Sequence, residues 1–297
     1  MADPTSSLRL DNRAILRVAG ADARDLLDRL VTADLSDLTP NTPAIRAGLL
    51  TPQGKILFEM FIAAADATTV LIETDPALAD DLAKRLAMYR LRADAAIEDV
   101  SESYQTSVTW ETPEAFGTFW HAPDTAAFLA QFEPKRMIAE RSDETELDDD
   151  SLTVEDVHDH LIEIGVGRQG ADFGSGDVFP HDVNWDAINA VAFDKGCFIG
   201  QEVVSRTRHK AVPRRRLVQL FAEDQTLEPG AEIKAGEATL GTLGSVHSNG
   251  QLALAVVRLD RAISAMDADT AITAGGAELQ IDPAAVERYR AAAAAAP

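Results

Sequence analysis

The sequence predicts an α+β chain that ends in a small all-β unit. Leucines and valines recur at helical spacing between strand-like runs over the first 212 residues. Beyond about residue 212 the texture changes to short strands separated by glycine-bearing turns, as in a small barrel or sandwich. At 297 residues and 46% hydrophobic, the chain has enough apolar material for two or three domains. The expected division is residues 1–212 as an α+β region and residues 213–297 as the β domain.

The elements follow in order. The segment 8-LRLDNRAILRVAG-20 reads as strand. In 22-DARDLLDRLVTADL-35, Leu26, Leu27, Leu30 and Val31 share one helical stripe, with Asp22 as the expected cap. The stretch 44–64 reads as a hairpin turning at Thr51-Pro52-Gln53-Gly54, and Ile56, Phe58, Met60 and Ile62 alternate along its second strand. Strand 69–74 runs into Asp75-Pro76, a helix start, and Leu78, Leu82, Leu86 and Tyr89 form the stripe of the helix that follows. Strands are expected at 95–101 and 105–110, a short helix at 124–132, and a solvated acidic loop at 143–150. Thr153 and Asp156 resemble a capping box for a helix that ends at Gly165. Strands at 217–222, 238–246 and 251–259 complete the pattern, and the alanine-rich tail 291–297 is expected to fray.

Lys and Arg number 27 against 49 Asp and Glu, giving a net charge of −22. Such a surface repels nucleic acid and anionic membrane at long range. No run of about 18 apolar residues is present to span a bilayer. One cysteine excludes an intramolecular disulfide and points to a reducing compartment. The N-terminus has no secretory pattern, so the cytoplasm is the expected location.

That cysteine is the sharpest feature. Cys197 lies in 194-DKGCFIGQEVVSR-206, between two glycines, beside Lys195 and just before an expected helix start near Gly200. A lone cysteine is usually a small buried apolar residue. Here a cation and a helix N-terminus are both expected to favour thiolate. No spacing singles out His181 or His209 as its base. Residues 165-GVGRQG-170 match a dinucleotide-binding pattern, but they follow a helix instead of a strand and are read as a helix end. His158 and His160 are taken as surface or loosely packed residues, because i and i+2 do not share a helix face. No metal site is expected. The stretch 206-RTRHKAVPRRR-216 is a local basic patch suited to a folate tail, phosphate, RNA or an acidic partner, or else a linker balancing nearby acids.

The stretch 195-KGCFIGQE-202 resembles the signature of the YgfZ family. Further matches occur at Gly20-Ala21-Asp22, Thr32-Ala33-Asp34, Pro52-Gln53-Gly54-Lys55, 89-YRLRADAAIED-99, Phe179-Pro180-His181-Asp182 and 254-LAVVRLD-260. That resemblance implies an aminomethyltransferase-like clover-leaf of three lobes around a folate channel, with a C-terminal β-barrel. It implies Cys197 and Lys195 as reactive residues. It also implies Glu163, Gly196, Gly200, Gln201, Glu202 and Arg206 as contacts for tetrahydrofolate or a related folate. The chain departs from the pattern at Phe198, usually tyrosine, and at Arg13 and Val157, where some members place tryptophan. It departs again at Leu161, where arginine is common, and at Gly165-Val166-Gly167, which lacks the usual proline.

The function this implies is a folate-binding accessory to iron–sulfur cluster assembly or repair. Its partners would be iron–sulfur proteins or assembly factors, and any effect on tRNA-modifying enzymes would be indirect. Two alternatives stay open: a tetrahydrofolate-dependent one-carbon transferase, and a non-enzymatic module binding tRNA or its modifying enzymes. Whether the chain is an enzyme is open too.

Overall fold

Strand pairing within two compact units organises the chain. A computed structural model describes residues 5–111, 133–141, 152–210 and 212–295. The helix expected at 124–132 and the acidic loop at 143–150 lie outside the described residues. The first unit takes the chain up to residue 111, the strand Lys135–Glu140 and residues 189–201; the second takes residues 155–188 and the chain from 202 onward.

In the first unit, β1 (Thr5–Leu10) pairs with β7 (Tyr104–Glu111), which pairs with β8 (Lys135–Glu140). A five-stranded antiparallel sheet runs β3 (Ile45–Leu50), β4 (Ile56–Ala64), β5 (Thr69–Thr74), β2 (Ala14–Ala19), β6 (Ala96–Asp99). The β3–β4 turn closes as expected, with the Gly54 N–H donating to the Thr51 carbonyl at 2.8 Å. The alternating Ile56, Phe58, Met60 and Ile62 are all buried, the last three in one core.

Two helices cover that core. In α2 (Pro76–Arg90) the Asp75 carboxylate accepts the Ala77 N–H at 2.8 Å, a cap of the expected kind. Helix α1 (Ala23–Asp28) is shorter than its leucine periodicity predicts. Val31 instead bridges to Leu49, and the Thr32 N–H donates to the Gly48 carbonyl. Pairing to β3 thus overrides helical spacing. Asp22 does occupy the position before α1, but its carboxylate accepts the Asp94 N–H at 2.8 Å and makes no cap bond.

In the second unit, α3 (Val154–Glu163) ends at Gly165, where φ is +74° and the Gly165 and Val166 N–H groups donate to Ile162 and Leu161. Helix α4 (Gln201–Lys210) leads to the β region. Its strands are β9 (Arg215–Phe221), β10 (Glu232–Ala235), β11 (Ala238–Val246), β12 (Leu252–Arg258), β13 (Ile272–Ala274), β14 (Ala277–Glu278) and β15 (Gln280–Ile281). They order β14-β13-β10-β11-β12-β9-β15. The two edge strands are consecutive in the chain and separated only by Leu279, so the sheet is a nearly closed barrel rather than a sandwich.

Two helices go beyond the expected strands: α5 (Leu259–Asp267) and α6 (Pro283–Ala295), so the alanine tail is helical through residue 295 instead of frayed. Among the described residues no helix is long and apolar enough to cross a membrane.

Candidate functional site

The loop that carries Cys197 is pinned to the first unit from both sides. On one side the Lys195 ammonium donates to the Asp28 carbonyl at 2.6 Å, the Asp28 carboxylate at 2.9 Å, the Val31 carbonyl at 3.2 Å and the Ala33 carbonyl at 2.5 Å. Its side chain is 2% exposed. Three N–H groups shared among four oxygens leave no proton for a substrate. Close by, the Thr32 hydroxyl donates to the Ala190 carbonyl at 2.6 Å, and the Ala192 N–H donates to the Thr32 carbonyl at 2.8 Å.

On the other side sits Gly200, with φ at +79°. A Cβ there would lie 2.6 Å from the Thr51 carbonyl oxygen and 2.9 Å from the Gly54 Cα. Only glycine meets both demands. The hairpin turn and the cysteine signature, about 145 residues apart in the chain, are therefore in direct contact. Between the two anchors Cys197 is a free, exposed thiol. Phe198 is buried, with the Lys195 Nζ 5.8 Å from its ring centroid. At Gly196 a Cβ would meet no atom within 4 Å, so this side of the loop is open.

Gln201 begins α4, its N–H donating to the Phe198 carbonyl at 3.2 Å. Glu202 and Arg206 pair with each other at 2.7 Å on the exposed face of that helix. Such a pair contributes little to stability.

Glu163 belongs to the second unit. It closes α3, where the dipole disfavours an anion. Its Oε1 accepts from the His247 Nε2 at 2.9 Å, and its side chain is 11% exposed. Burial pushes the Glu163 carboxyl up, and the hydrogen bond from His247 pulls it part of the way back. The Gln219 amide donates to the Ile162 and Glu163 carbonyls at 2.9 and 2.7 Å, satisfying the end of α3. A cavity of about 170 Å³ in this unit is lined by Glu163, Asn184, Arg216, Gln219, Arg288 and Tyr289, among others.

Of the glycines of 165–170, Gly165 and Gly170 take φ of +74° and +91°, and Gly167 serves packing. At Gly167 a Cβ would meet the Leu217 Cδ2 at 2.8 Å. The neighbouring Asp172 ties this loop to the barrel, accepting the Arg168 and Ser245 N–H groups at 2.8 Å each. Burial pushes the Asp172 carboxyl up. His160 is 3% exposed, so it is a core residue and not a surface one. His181 is buried too, and burial depresses its basicity. In the basic stretch, Arg216 forms a two-pronged pair with Asp186 at 2.8 and 3.1 Å and donates to the His181 carbonyl, which supports the charge-balancing reading for that residue. Arg13 is bound to the fully buried Glu73 at 2.6 Å, which also takes Arg136 at 2.6 Å. Among the described residues no group of three or more His, Cys, Asp or Glu is arranged to hold a metal ion.

Sequence reasoning did not single out Asp28 or His247. Asp28 ends α1, where the dipole opposes a carboxylate, but the expected 22–35 helix hides that position in the sequence. His247 carries no signal.

Residues 214–287 match a family described as the CAF17 C-terminal beta-barrel domain. Among curated proteins, the human mitochondrial iron–sulfur cluster assembly factor IBA57 is 31% identical over 282 residues, covering 85% of this chain and 79% of that protein. Its mouse counterpart is 28% identical, covering 82% of this chain and 72% of that protein. A homologue from Mycosarcoma maydis is 28% identical over 74% of this chain, and the chain spans 59% of its length. In fold, the chain is similar to the crystal structure of glycine cleavage system aminomethyltransferase T from Bartonella henselae. The TM-score is 0.67 at 14% identity, covering 93% of this chain and 84% of that one. The aminomethyltransferase-like fold ending in a barrel is therefore as expected. The cytoplasmic expectation is not: all three curated relatives are named as mitochondrial.

Proposed function

Because the chain belongs to the family of the iron–sulfur cluster assembly factor IBA57, we propose that it supports iron–sulfur cluster assembly through the Cys197 thiol. The observation that carries this reading is the cysteine loop itself. A free, exposed thiol stands on a segment held by Lys195 on one side and Gly200 on the other. One thiolate cannot complete the ligand set of a cluster. The thiol would therefore share its cargo with an iron–sulfur protein or another assembly factor. In this reading Lys195 positions the loop, and Cys197 is the reacting residue. The likeness of 195-KGCFIGQE-202 to the YgfZ signature supports the same assignment.

A reduced folate is the second part of the proposal. The fold is that of an aminomethyltransferase, and Glu163 offers a buried carboxylate that suits adjacent N–H donors. Effects on tRNA modification would follow indirectly, through the cluster-bearing enzymes that modify tRNA.

The test is rescue of an iron–sulfur enzyme's activity in cells lacking their own family member. Wild type is expected to restore that activity and Cys197→Ala to restore none of it at equal protein level. Full rescue by Cys197→Ala would make the thiol structural and overturn the reading.

A further inference from the structure

We propose that His247 is a positioning residue for Glu163, fixing its carboxylate to receive two adjacent N–H groups of a planar heterocyclic ligand. The inference rests on the folate reading above and assigns a role that neither the motif nor the fold match supplies.

The geometry runs from the barrel turn to the helix end. His247 follows β11, which ends at Val246, and its own N–H donates to the Leu252 carbonyl at 2.8 Å. The Asn249 N–H donates to the His247 Nδ1 at 3.0 Å. A ring nitrogen that accepts a backbone N–H carries no proton in the neutral imidazole, so the proton resides on Nε2. That Nε2–H points at the Glu163 Oε1, 2.9 Å away. Both the tautomer and the ring orientation are thus set by the turn. From α3, Asp159 and His160 face the pair, while Asp186, Arg216, Asp282, Arg288 and Tyr289 line the cavity that Glu163 borders. Asp159 Oδ2 is 3.7 Å from the His247 Nδ1, and the other oxygen of Asp159 accepts the Ser248 N–H at 2.9 Å. The His160 Nδ1 is 3.9 Å from the Glu163 Oε2, beyond hydrogen-bond reach. Glu163 Oε2 makes no hydrogen bond among the described residues.

A buried carboxylate at a helix C-terminus is doubly disfavoured, by desolvation and by the dipole. His247 stabilises its ionised form and at the same time occupies only one of its lone-pair directions. One oxygen stays open and the second lone pair of the other is free. This arrangement fits a ligand edge bearing two neighbouring N–H donors, the edge that a reduced pterin presents.

The experiment is calorimetric titration of the full chain with 5-formyltetrahydrofolate, for wild type, Glu163→Gln, His247→Ala and His247→Gln, between about pH 5.5 and 8.5. Binding requires ionised Glu163, so affinity falls as pH drops through its titration. Losing His247 is expected to weaken binding about tenfold or more, the scale of a hydrogen bond to a charged group. It is also expected to move the acid limb to higher pH, because the bond that favours the carboxylate is gone. His247→Gln keeps a side-chain N–H donor and is expected to stay within about threefold of wild type. A purely structural role would leave the acid limb in place. If wild type binds and His247→Ala shows the same affinity and pH profile, the positioning role fails alone. The role also fails if His247→Gln is no better than His247→Ala, or if Glu163→Gln binds as wild type does. If wild type itself does not bind, the folate reading falls and takes this role with it.

Discussion

Replacing Lys195 by methionine removes one ammonium and leaves the Asp28, Val31 and Ala33 carbonyls without that donor, while the Asp28 carboxylate keeps the Leu35 N–H at 3.0 Å. The side chain is 2% exposed, so water does not take its place at the buried carbonyls of Val31 and Ala33. Asp28 is 34% exposed and rehydrates in part, which places the cost at the lower end for breaking a buried ion pair, about 3 kcal/mol. The loss is local to the loop and the end of α1. Hydrogen exchange at the Ala192 amide, which donates to the Thr32 carbonyl beside this anchor, is the suitable assay. A cost of about 3 kcal/mol corresponds to exchange about a hundredfold faster, provided the loop opens separately from the rest of the unit. Lys195→Arg is expected to recover only part of the protection, since a planar fork does not match four convergent oxygens. In cells, Lys195→Met is expected to lose rescue although the thiol is intact. Exchange at residues 189–201 unchanged within a factor of about three would refute the anchoring argument.

Gly200→Ala is expected to destabilise the first unit by more than about 2 kcal/mol, combining left-handed backbone strain with a Cβ 2.6 Å from the Thr51 carbonyl oxygen. A urea midpoint indistinguishable from wild type would count against the close contact between loop and hairpin. Asp172 gives a pH prediction. Burial raises its folded pKa, so the folded state holds its proton to higher pH than the unfolded chain does. Stability from this group is therefore present below the unfolded carboxylate value near 4 and is lost as pH rises through the raised folded value. Asp172→Asn cannot titrate, and its amide must turn an N–H toward one of the two backbone donors, at a cost of about 1–3 kcal/mol. The stability advantage of wild type over Asp172→Asn should shrink as pH rises from about 4, read by urea unfolding across the range; an advantage that grows would contradict the burial argument.

How much of this was legible in the sequence depends on the range over which each residue is satisfied. Ile56 to Ile62, the Thr51–Gly54 turn and the Asp75 cap each find partners within a few residues or on one local face, and each was readable. Helix α1 was overextended because Leu30 and Val31 keep helical spacing while actually packing beside β3. Helix α5 was missed because 251-QLALAVVRL-259 reads as one continuous strand, and its last residue begins the helix. The candidate site divides in the same way. The Cys197 loop was legible as a motif, yet Lys195 was read as an activating cation because its neighbour in the chain is the thiol. Its oxygens come from residues 28–33, which lie 162 to 167 residues earlier in the chain. A lysine beside a cysteine is ambiguous until its acceptors are located. The same holds for Glu163, whose partner His247 is 84 residues away. Only for Glu163 was a misfit legible locally, as an anion at a predicted helix end; Asp28 lies inside the predicted 22–35 helix and becomes a C-terminal anion only because α1 stops there. A carboxylate placed against the dipole costs free energy unless a distant cation or donor meets it. In this chain Lys195 meets Asp28 and His247 meets Glu163, so an acid that contradicts its helix marks a long-range contact here, but it is readable in the sequence only where the helix end is itself legible.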